Sequence, residues 1–214
     1  MTVILDAHQL SYVAVPKIAC TSIKTMFFAI ENGFAFRTFK ASGRGWHIHN
    51  FYPSLDFDAL PAERMAAHQR LAVLRDPVRR LLSCYSNRVV HHRELSRPKA
   101  GRRLVRADLP FNPDLSTFVR HLADYRREVP SIDHHARPMV DYLGRDPGFY
   151  TGLYRMETLD AFVADVARIT GMEPRLQRLQ TGGPKIDPDS LTAEDRRRLE
   201  EHYAEDYACF GSLL

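Results

Sequence analysis

The chain has 214 residues, of which 44% are hydrophobic and 26% charged, so it can bury one substantial core, and we expect a single domain over residues 1–214. Thirty Lys and Arg residues against 26 Asp and Glu residues give a formal net charge of +4, which favours anionic partners without requiring nucleic acid. Three widely spaced cysteines argue against a disulfide framework and against a zinc motif. No stretch is long and apolar enough to cross a bilayer, so we expect a soluble, cytoplasmic protein. From the cysteine pattern we expect no metal ion.

A strand, a turn and a helix are predicted near the start of the chain. Residues 11–16 are short, β-branched and apolar, as in a buried strand. A polar turn follows, and Ile23, Phe27 and Ile30 then recur at helical spacing within residues 21–32. The pattern predicts that this turn lies between a buried strand and the N-terminus of a helix.

A second strand, turn and helix begin at residue 70. Residues 71–74 read as a buried strand, and Pro77 suits the first turn of a helix whose apolar face carries Val78, Leu81, Leu82 and Tyr85. Residues 33–67 are irregular and rich in aromatic residues and histidine, whereas residues 88–113 are basic and broken by prolines and glycine. We expect both stretches to be insertions that form a site.

Later stretches complete an alternating pattern of helices and strands. Helical spacing is found in residues 114–125, 132–143, 157–171 and 191–207, and residues 148–154 fit a strand. Strands that alternate with helices predict an α/β fold with a central, mainly parallel sheet flanked by helices. Ligands of such sheets bind beyond the carboxyl ends of the strands, where both of the turns described above lie.

The turn Pro16–Ser22 has the properties of a phosphate site. A helix N-terminus presents unpaired N–H groups and the positive end of the helix dipole. Lys17 can place an ammonium group on a phosphate oxygen, and the hydroxyls of Thr21 and Ser22 can add hydrogen bonds. The glycines of a Walker A loop are missing, so a conventional ATP- or GTP-binding loop is not expected. The alternative is that Thr21 or Ser22 simply caps the helix.

The turn after the second strand adds Arg75 and, one helical stretch later, the hydroxyl of Ser83. Together, PKIACTS at residues 16–22 and RDPVRRLLSCY at residues 75–85 resemble the motifs of the sulfotransferases that use 3′-phosphoadenosine 5′-phosphosulfate (PAPS), particularly the carbohydrate and heparan 2-O-sulfotransferase-like branch. The resemblance implies a P-loop-NTPase-like sulfotransferase fold. It also implies transfer of a sulfuryl group from PAPS to a hydroxyl, with a carbohydrate favoured as the acceptor.

The same resemblance assigns residues to the two ends of the donor. The 5′-phosphosulfate would contact Lys17, Ala19, Cys20, Thr21 and Ser22, and the 3′-phosphate would contact Arg75 and Ser83. Residues 180–185 resemble a loop that covers the nucleotide, which adds Thr181, Gly182, Gly183 and Lys185. Lys17 would also stabilise the negative charge that develops on the departing phosphate oxygen.

A base is expected to accept the proton of the acceptor hydroxyl, and a histidine can do so. His47 and His49 are the candidates, because alternate side chains of an extended segment share one face. Heparan 2-O-sulfotransferase-like relatives have a His-x-His pair at the corresponding place, which favours His49 as the base and leaves His47 as its rival. The alternatives are two surface histidines, or half of a metal site for which no companion ligands are evident.

Acceptor contacts are expected from two polar stretches. Between residues 88 and 106 seven basic residues accompany a single acidic one, so this stretch can steer an anionic acceptor, with Arg102 and Arg103 as its candidate contacts. Relatives with an Asp-x-His step near the acceptor suggest His135 and Arg137 as well. Asp133 is expected to cap the helix that starts there.

Two other functions fit parts of the sequence. A P-loop-like nucleotide-dependent kinase would share the phosphate loop but needs a magnesium ligand, and Asp76 is the residue that stands at the end of an apolar strand. A non-catalytic binder of anionic glycans or nucleic acid would use the basic stretch, which explains neither donor motif. Neither the identity of the acceptor nor the oligomeric state follows from the sequence.

Overall fold

The computed structural model describes residues 2–177, 179 and 182–214. The chain divides into two compact units, each assembled from separated stretches. The first unit contains Met1–Arg75, Met139–Gln180 and Ser212–Leu214, and the second contains Asp76–Pro138 and Thr181–Gly211. The expectation of one domain over residues 1–214 stays a prediction.

The first unit is built on a four-stranded sheet. Its strands and those of a separate hairpin are β1 (Val3–Leu5), β2 (Leu10–Val13), β3 (Phe39–Ala41), β4 (Arg44–Trp46), β5 (Gln69–Leu74) and β6 (Gly152–Arg155). The sheet has the order β1-β2-β5-β6, and β3 pairs with β4 in an antiparallel hairpin. The β2–β5 and β5–β6 pairs are parallel, whereas β1 pairs with β2 antiparallel. The predicted mainly parallel sheet is therefore confirmed, with one antiparallel strand at its edge.

Helices accompany the sheet in the first unit and make up most of the second. The first unit has α1 (Cys20–Asn32), α2 (Ile48–Phe51), α3 (Ala62–Met65), α9 (Val140–Leu143) and α10 (Leu159–Thr170). The second has α4 (Pro77–Cys84), α5 (Arg97–Arg106), α6 (Leu115–Arg120), α7 (Leu122–Glu128), α8 (Pro130–Ala136), α11 (Ala193–His202) and α12 (Ala204–Phe210), with a π-helical stretch over Tyr85–His91. The α/β class is thus confirmed. Within the described part of the chain, no helix has the length and apolarity needed to span a membrane.

Three aromatic rings attach α1 to the sheet. Phe27 of α1 stacks on Tyr12 of β2 with 5.5 Å between ring centroids. Phe162 of α10 contacts both rings, at 5.6 Å from Tyr12 and 6.1 Å from Phe27. All three side chains are fully buried. Helices α1 and α10 therefore pack on the same face of the sheet, and the position of α1 depends on this contact.

The core of the second unit lies between its helices. Its buried apolar residues come mainly from helices α4 to α8, from the π-helical stretch and from α11. Helix α4 begins as predicted, with Pro77 in its first turn and the Asp76 carboxylate accepting the Arg79 N–H at 2.8 Å. The other carboxylate oxygen of Asp76 accepts the Tyr207 hydroxyl at 3.0 Å. Asp76 is thus the N-cap residue of α4.

Arg80 is a structural residue of the second unit. Its side chain is completely buried, and its guanidinium donates to the carbonyl oxygens of His135, at 3.3 Å, and of Arg137. These carbonyl groups lie at the C-terminal end of α8, where no intrahelical donor is left for them. The guanidinium also lies over the Tyr203 ring, at 5.6 Å from its centroid. This arginine therefore holds the end of α8.

The basic stretch over residues 88–113 contains a helix, although prolines and glycine break it in the sequence. Arg97–Arg106 forms α5, with Pro98 in its first turn and with Ala100 and Leu104 buried in the core of the unit. Proline is tolerated in the first helical turn, because its missing N–H has no partner there. The basic residues occupy the other positions of this amphipathic helix. Because so many of its residues are charged, the apolar face was not recognised in the sequence.

Three predicted helices are each interrupted, and one predicted cap is wrong. Residues 114–125 break at His121, residues 132–143 at Arg137, and residues 191–207 at Tyr203. Arg137 is extended because it precedes a proline, which disfavours helical geometry in the residue before it. Asp133 does not cap α8, because that helix begins at Pro130, and its carboxylate lies 2.9 Å from Nε of Arg126 instead.

Replacing Phe162 by Ala should lower the free energy of unfolding by about 3–5 kcal/mol, because it removes a buried ring that contacts both Phe27 and Tyr12. The matched control is Phe34→Ala, since Phe34 is 64% exposed and its ring meets that of Phe28 edge to face. In Phe34→Ala the free energy of unfolding should fall by less than about 1.5 kcal/mol. Urea denaturation monitored by circular dichroism measures both. Equal losses would show that the aromatic contact does not hold α1 on the sheet.

Candidate functional site

The loop between β2 and α1 contains two residues in the left-handed region. Lys17 has φ 68° and Ala19 has φ 45°. This conformation costs a non-glycine residue roughly 1–2 kcal/mol, so neighbouring contacts have to hold it. One such contact comes from Arg75, which follows β5 and donates from Nη1 to the carbonyl oxygen of Lys17 at 2.9 Å. The parallel pairing of β2 with β5 thus places two predicted donor-site residues side by side.

The N-terminus of α1 is not capped by a side chain. Its N-cap residue is Ala19, which has no side-chain hydrogen bond to offer, and the first ladder bond runs from the Ile23 N–H to the Ala19 carbonyl oxygen at 3.0 Å. The alternative that Thr21 or Ser22 caps the helix is therefore wrong, since both lie inside the first turn. The first N–H groups of α1 have no intrahelical acceptor, which makes this end suitable for an anion.

Thr21, His49 and Lys24 form a hydrogen-bonded group beside the loop. His49 Nε2 lies 2.9 Å from Thr21 Oγ1, and His49 Nδ1 lies 3.3 Å from Lys24 Nζ. Lys24 Nζ also donates to Ser54 Oγ at 3.1 Å. The predicted base therefore contacts a residue of the predicted donor loop, although the two are 28 positions apart in the sequence.

The His-x-His segment is not extended, contrary to expectation. His47 is extended, but His49 lies in the short helix α2, and the two ring centroids are 5.8 Å apart. His47 is exposed, whereas His49 is partly buried. Among residues 2–177, 179 and 182–214, no group of three or more His, Cys, Asp or Glu side chains is arranged to hold a metal ion. The pair thus offers one imidazole to the loop and one to solvent.

A cleft of about 270 Å³ lies along α1 within the first unit. Its walls are the sides of Thr25, Met26 and Ile30 of α1, Phe36, and the segment of residues 172–177. The buried hydroxyl of Ser22 accepts the N–H of Leu179 at 3.0 Å, which joins that returning segment to the first turn of α1. Ser22 therefore positions backbone here, and this contact was not foreseen from the sequence.

The remaining predicted donor residues belong to the second unit. Ser83 is half-buried in α4, and Lys185 is exposed. Gly183 has φ 98°, and a Cβ atom there would approach Ser86 Oγ to 2.4 Å, so this position requires glycine. Ser86 Oγ also donates to the Pro184 carbonyl oxygen at 2.5 Å. Gly182 is exposed, and Thr181 lies outside the described residues.

The predicted acceptor residues also lie in the second unit. Arg102 and Arg103 are exposed on α5. His135 is engaged at both ring nitrogens, since Nε2 lies 2.9 Å from Arg88 Nη2 and Nδ1 lies 2.6 Å from the Ser131 carbonyl oxygen. Because arginine only donates, Nε2 is the acceptor and Nδ1 carries the proton.

Sequence reasoning missed Lys24 and Ser54. Lys24 is completely buried, although lysine is almost never fully buried without a partner. One signal was available, since Lys24 stands next to Ile23 and three residues before Phe27 on the apolar face of a predicted helix. Nothing in the sequence around Ser54 indicates its contact with Lys24.

Comparisons with known proteins give one matching family model and one similar curated protein. A model of the sulfotransferase family matches residues 1–211. Human carbohydrate sulfotransferase 9 is 25% identical over 142 residues, which cover 61% of this chain and 32% of that protein. The similarity thus takes in about a third of the length of this curated relative. No solved structure matches the chain.

Replacing Ala19 by Gly should leave the free energy of unfolding unchanged or raise it by up to about 1 kcal/mol, because glycine adopts the left-handed region without a steric penalty. The matched control, Ala29→Gly, lies inside α1 and should lower it by about 1 kcal/mol. Urea denaturation measures both. If Ala19→Gly is as destabilising as Ala29→Gly, the loop does not adopt this backbone.

Proposed function

We propose that this chain, which belongs to the sulfotransferase family, transfers a sulfuryl group from PAPS to a hydroxyl of a carbohydrate. The family was predicted from residues 16–22 and 75–85, and the match over residues 1–211 confirms it. The similarity to carbohydrate sulfotransferase 9 supports a sugar as the acceptor. The chemistry of the loop before α1 supports an anionic donor.

The residues around the loop fit a phosphate-bearing donor. The first turn of α1 directs N–H groups and the positive end of the helix dipole at the loop, and no side chain caps it. Lys17 and Arg75 bring two cationic side chains to the same place. PAPS supplies the sulfuryl group, and Lys17 compensates for the charge that develops on the phosphate oxygen from which that group departs.

The observation that carries the proposal is the contact between His49 and Thr21. A base must lie within hydrogen-bond reach of the proton that it removes. His49 Nε2 is 2.9 Å from the Thr21 hydroxyl, in the first turn of the helix that faces the donor. In the proposed step, His49 Nε2 takes the proton of the acceptor hydroxyl while the new oxygen–sulfur bond forms. The exposed His47 then contacts the acceptor.

The proposal also covers the residues that bind the acceptor and the cellular location of the protein. Arg102 and Arg103 are solvent-exposed on α5 and suited to steering an anionic sugar, with Arg137 and His135 as further proposed contacts. Both nitrogens of His135 are already engaged, so its contribution would be to orient neighbouring groups. We also propose a reducing, cytoplasmic location, because no disulfide joins the described cysteines.

The kinase alternative is less well supported. Its magnesium ligand would be Asp76, but one oxygen of that carboxylate accepts the Arg79 N–H and the other accepts the Tyr207 hydroxyl. Both contacts serve the start of α4. A non-catalytic glycan binder would not require a histidine in contact with the anion-binding loop.

The direct test is incubation with labelled PAPS and a panel of carbohydrate, phenolic and peptide acceptors, followed by mass detection of an added sulfate. We expect a sulfated carbohydrate. In thermal denaturation, 3′-phosphoadenosine 5′-phosphate without magnesium should stabilise the protein, whereas ATP with magnesium should not. Stabilisation by ATP with magnesium and none by the desulfated donor would favour a kinase.

Replacing Lys17 by Ala should lower the turnover number about 10²- to 10³-fold, because the charge that Lys17 compensates develops only in the transition state. The melting temperature should change little. The matched control is Lys40→Ala, since Lys40 is exposed on β3, and its turnover should equal that of the unmodified protein. A Lys17→Ala variant with normal turnover would remove this lysine from the chemistry.

Replacing His49 by Ala should lower the turnover number by roughly two to four decades, the usual contribution of a general base, while binding of 3′-phosphoadenosine 5′-phosphate is retained. His47→Ala is the matched control and should have a smaller effect, because His47 does not contact the loop in the described structure. Saturating kinetics and calorimetric binding measure the two quantities. The reverse order of effects would make His47 the base.

A further inference from the structure

Lys24 is a completely buried cation in contact with the proposed base. Its Nζ lies 3.3 Å from His49 Nδ1 and 3.1 Å from Ser54 Oγ. Neither partner is a carboxylate, so neither contact compensates for the cost of burying an ammonium group. Burial lowers the pKa of Lys24 from 10.5 to about 8. This lysine is therefore able to exist as a neutral amine near physiological pH.

With Lys24 charged, His49 cannot act as a base. An ammonium group has three donors and no acceptor, so it must donate to His49 Nδ1. A neutral imidazole that accepts at Nδ1 carries its proton on Nε2. That proton then points at Thr21 Oγ1, and no lone pair remains on Nε2 for the acceptor hydroxyl.

With Lys24 neutral, the same two contacts support the opposite tautomer. The amine lone pair accepts the proton of Nδ1, and Nε2 is left with its lone pair directed towards Thr21. An acceptor hydroxyl that replaces Thr21 at this position can transfer its proton to Nε2. The O–H bond of the acceptor breaks, the Nε2–H bond forms, and His49 becomes an imidazolium that still donates to Lys24.

We propose that Lys24 is a positioning residue that selects the tautomer of His49, so that Nε2 can act as a base only while Lys24 is a neutral amine. This inference rests on the proposed function, because it assumes that His49 accepts the proton of the acceptor hydroxyl. Lys24 does not touch the acceptor. It acts through the imidazole, as a carboxylate does in other histidine-based sites, but with an amine in that place.

Among the described residues, the elements packed against α1 place few other ionisable groups near Lys24. Strand β2 contributes Tyr12, and α10 contributes Asp160 and Arg168, which are exposed, and Asp165, which pairs with Arg168. Strand β1 contributes only Val3, Ile4 and Leu5, and α2 contributes His49. Cys20, one turn earlier on α1, would raise the pKa of Lys24 if it ionised. After α2, the Tyr52 hydroxyl donates to Glu31, and Asp56 and Asp58 are exposed. The pH dependence near 8 is therefore assigned to Lys24.

The test compares pH profiles of the turnover number for the unmodified protein and two variants of Lys24 that differ in hydrogen-bonding capacity. In the unmodified protein, turnover should rise about tenfold between pH 7 and pH 9, with a midpoint near 8. Lys24→Gln keeps an acceptor oxygen at every pH, so the midpoint should move towards that of an ordinary imidazole, about 6.5. Lys24→Arg only donates and should remain at least about tenfold less active at pH 9.

Lys40→Gln provides the matched control, because it removes an exposed lysine of β3 and should leave the midpoint near 8. A lysine that merely fills space would give lower turnover in both Lys24 variants with an unchanged midpoint, and that result would overturn the inference. Melting temperatures and binding of 3′-phosphoadenosine 5′-phosphate identify a variant that fails to fold. If Lys24→Arg does not fold, the midpoint of the pH profile of Lys24→Gln tests the inference by itself.

A second measurement needs neither donor nor acceptor. Long-range ¹⁵N–¹H NMR spectra report the tautomer of each histidine, and His49→Gln assigns the signals of His49. The Nε2–H form should predominate at pH 7 and the Nδ1–H form above pH 9. An unchanged tautomer over this range overturns the role of Lys24, even if sulfation is observed. Absence of sulfation of any acceptor, with the tautomer change present, would overturn the proposed function alone.

Discussion

The burial of Phe27 between Tyr12 and Phe162 is the contact on which the candidate site depends. It fixes α1 against the sheet, and α1 carries the N-terminus that no side chain caps, together with Thr21 and Lys24. A buried phenylalanine stabilises a fold by about 1.5–3 kcal/mol, and this contact buries two together with a tyrosine. The apolar face of one helix thereby determines where its polar end lies.

Several locally unfavourable features are concentrated between residues 17 and 24. Two non-glycine residues have left-handed backbone, the helix start lacks a side-chain cap, and Lys24 is buried without a carboxylate contact among its described hydrogen bonds. Strain and uncompensated charge persist where surrounding packing over-determines the structure, and they cluster at functional sites. In this chain the same features suit the proposed anionic donor and the proposed base, because the first N–H groups of α1 have no intrahelical acceptor and burial lowers the pKa of Lys24.

The segment after β5 combines a proposed donor-site residue with structural residues within a few positions. Arg75 reaches the carbonyl oxygen of Lys17, whereas Asp76 begins α4 and Arg80 holds the end of α8. All three side chains are charged, and they differ in what surrounds them. Arg80 is buried against Tyr203, and Arg75 lies at the end of a parallel strand. A motif of this kind marks a site but does not identify which of its members contact the ligand.

The sequence by itself determined the α/β class and both strand–turn–helix units, because apolar periodicity and turn residues act over short distances. The family followed from the resemblance of the motifs at residues 16–22 and 75–85. It also indicated His49, through a motif. Only the tertiary structure decided that α5 is helical, that Ser22 and Asp133 are not caps, and that His49 contacts Thr21 and Lys24. These contacts join residues 25 to 28 positions apart, or depend on which helix face meets a core. These contacts and buried faces depend on packing between distant parts of the chain, and a local sequence pattern does not specify that packing.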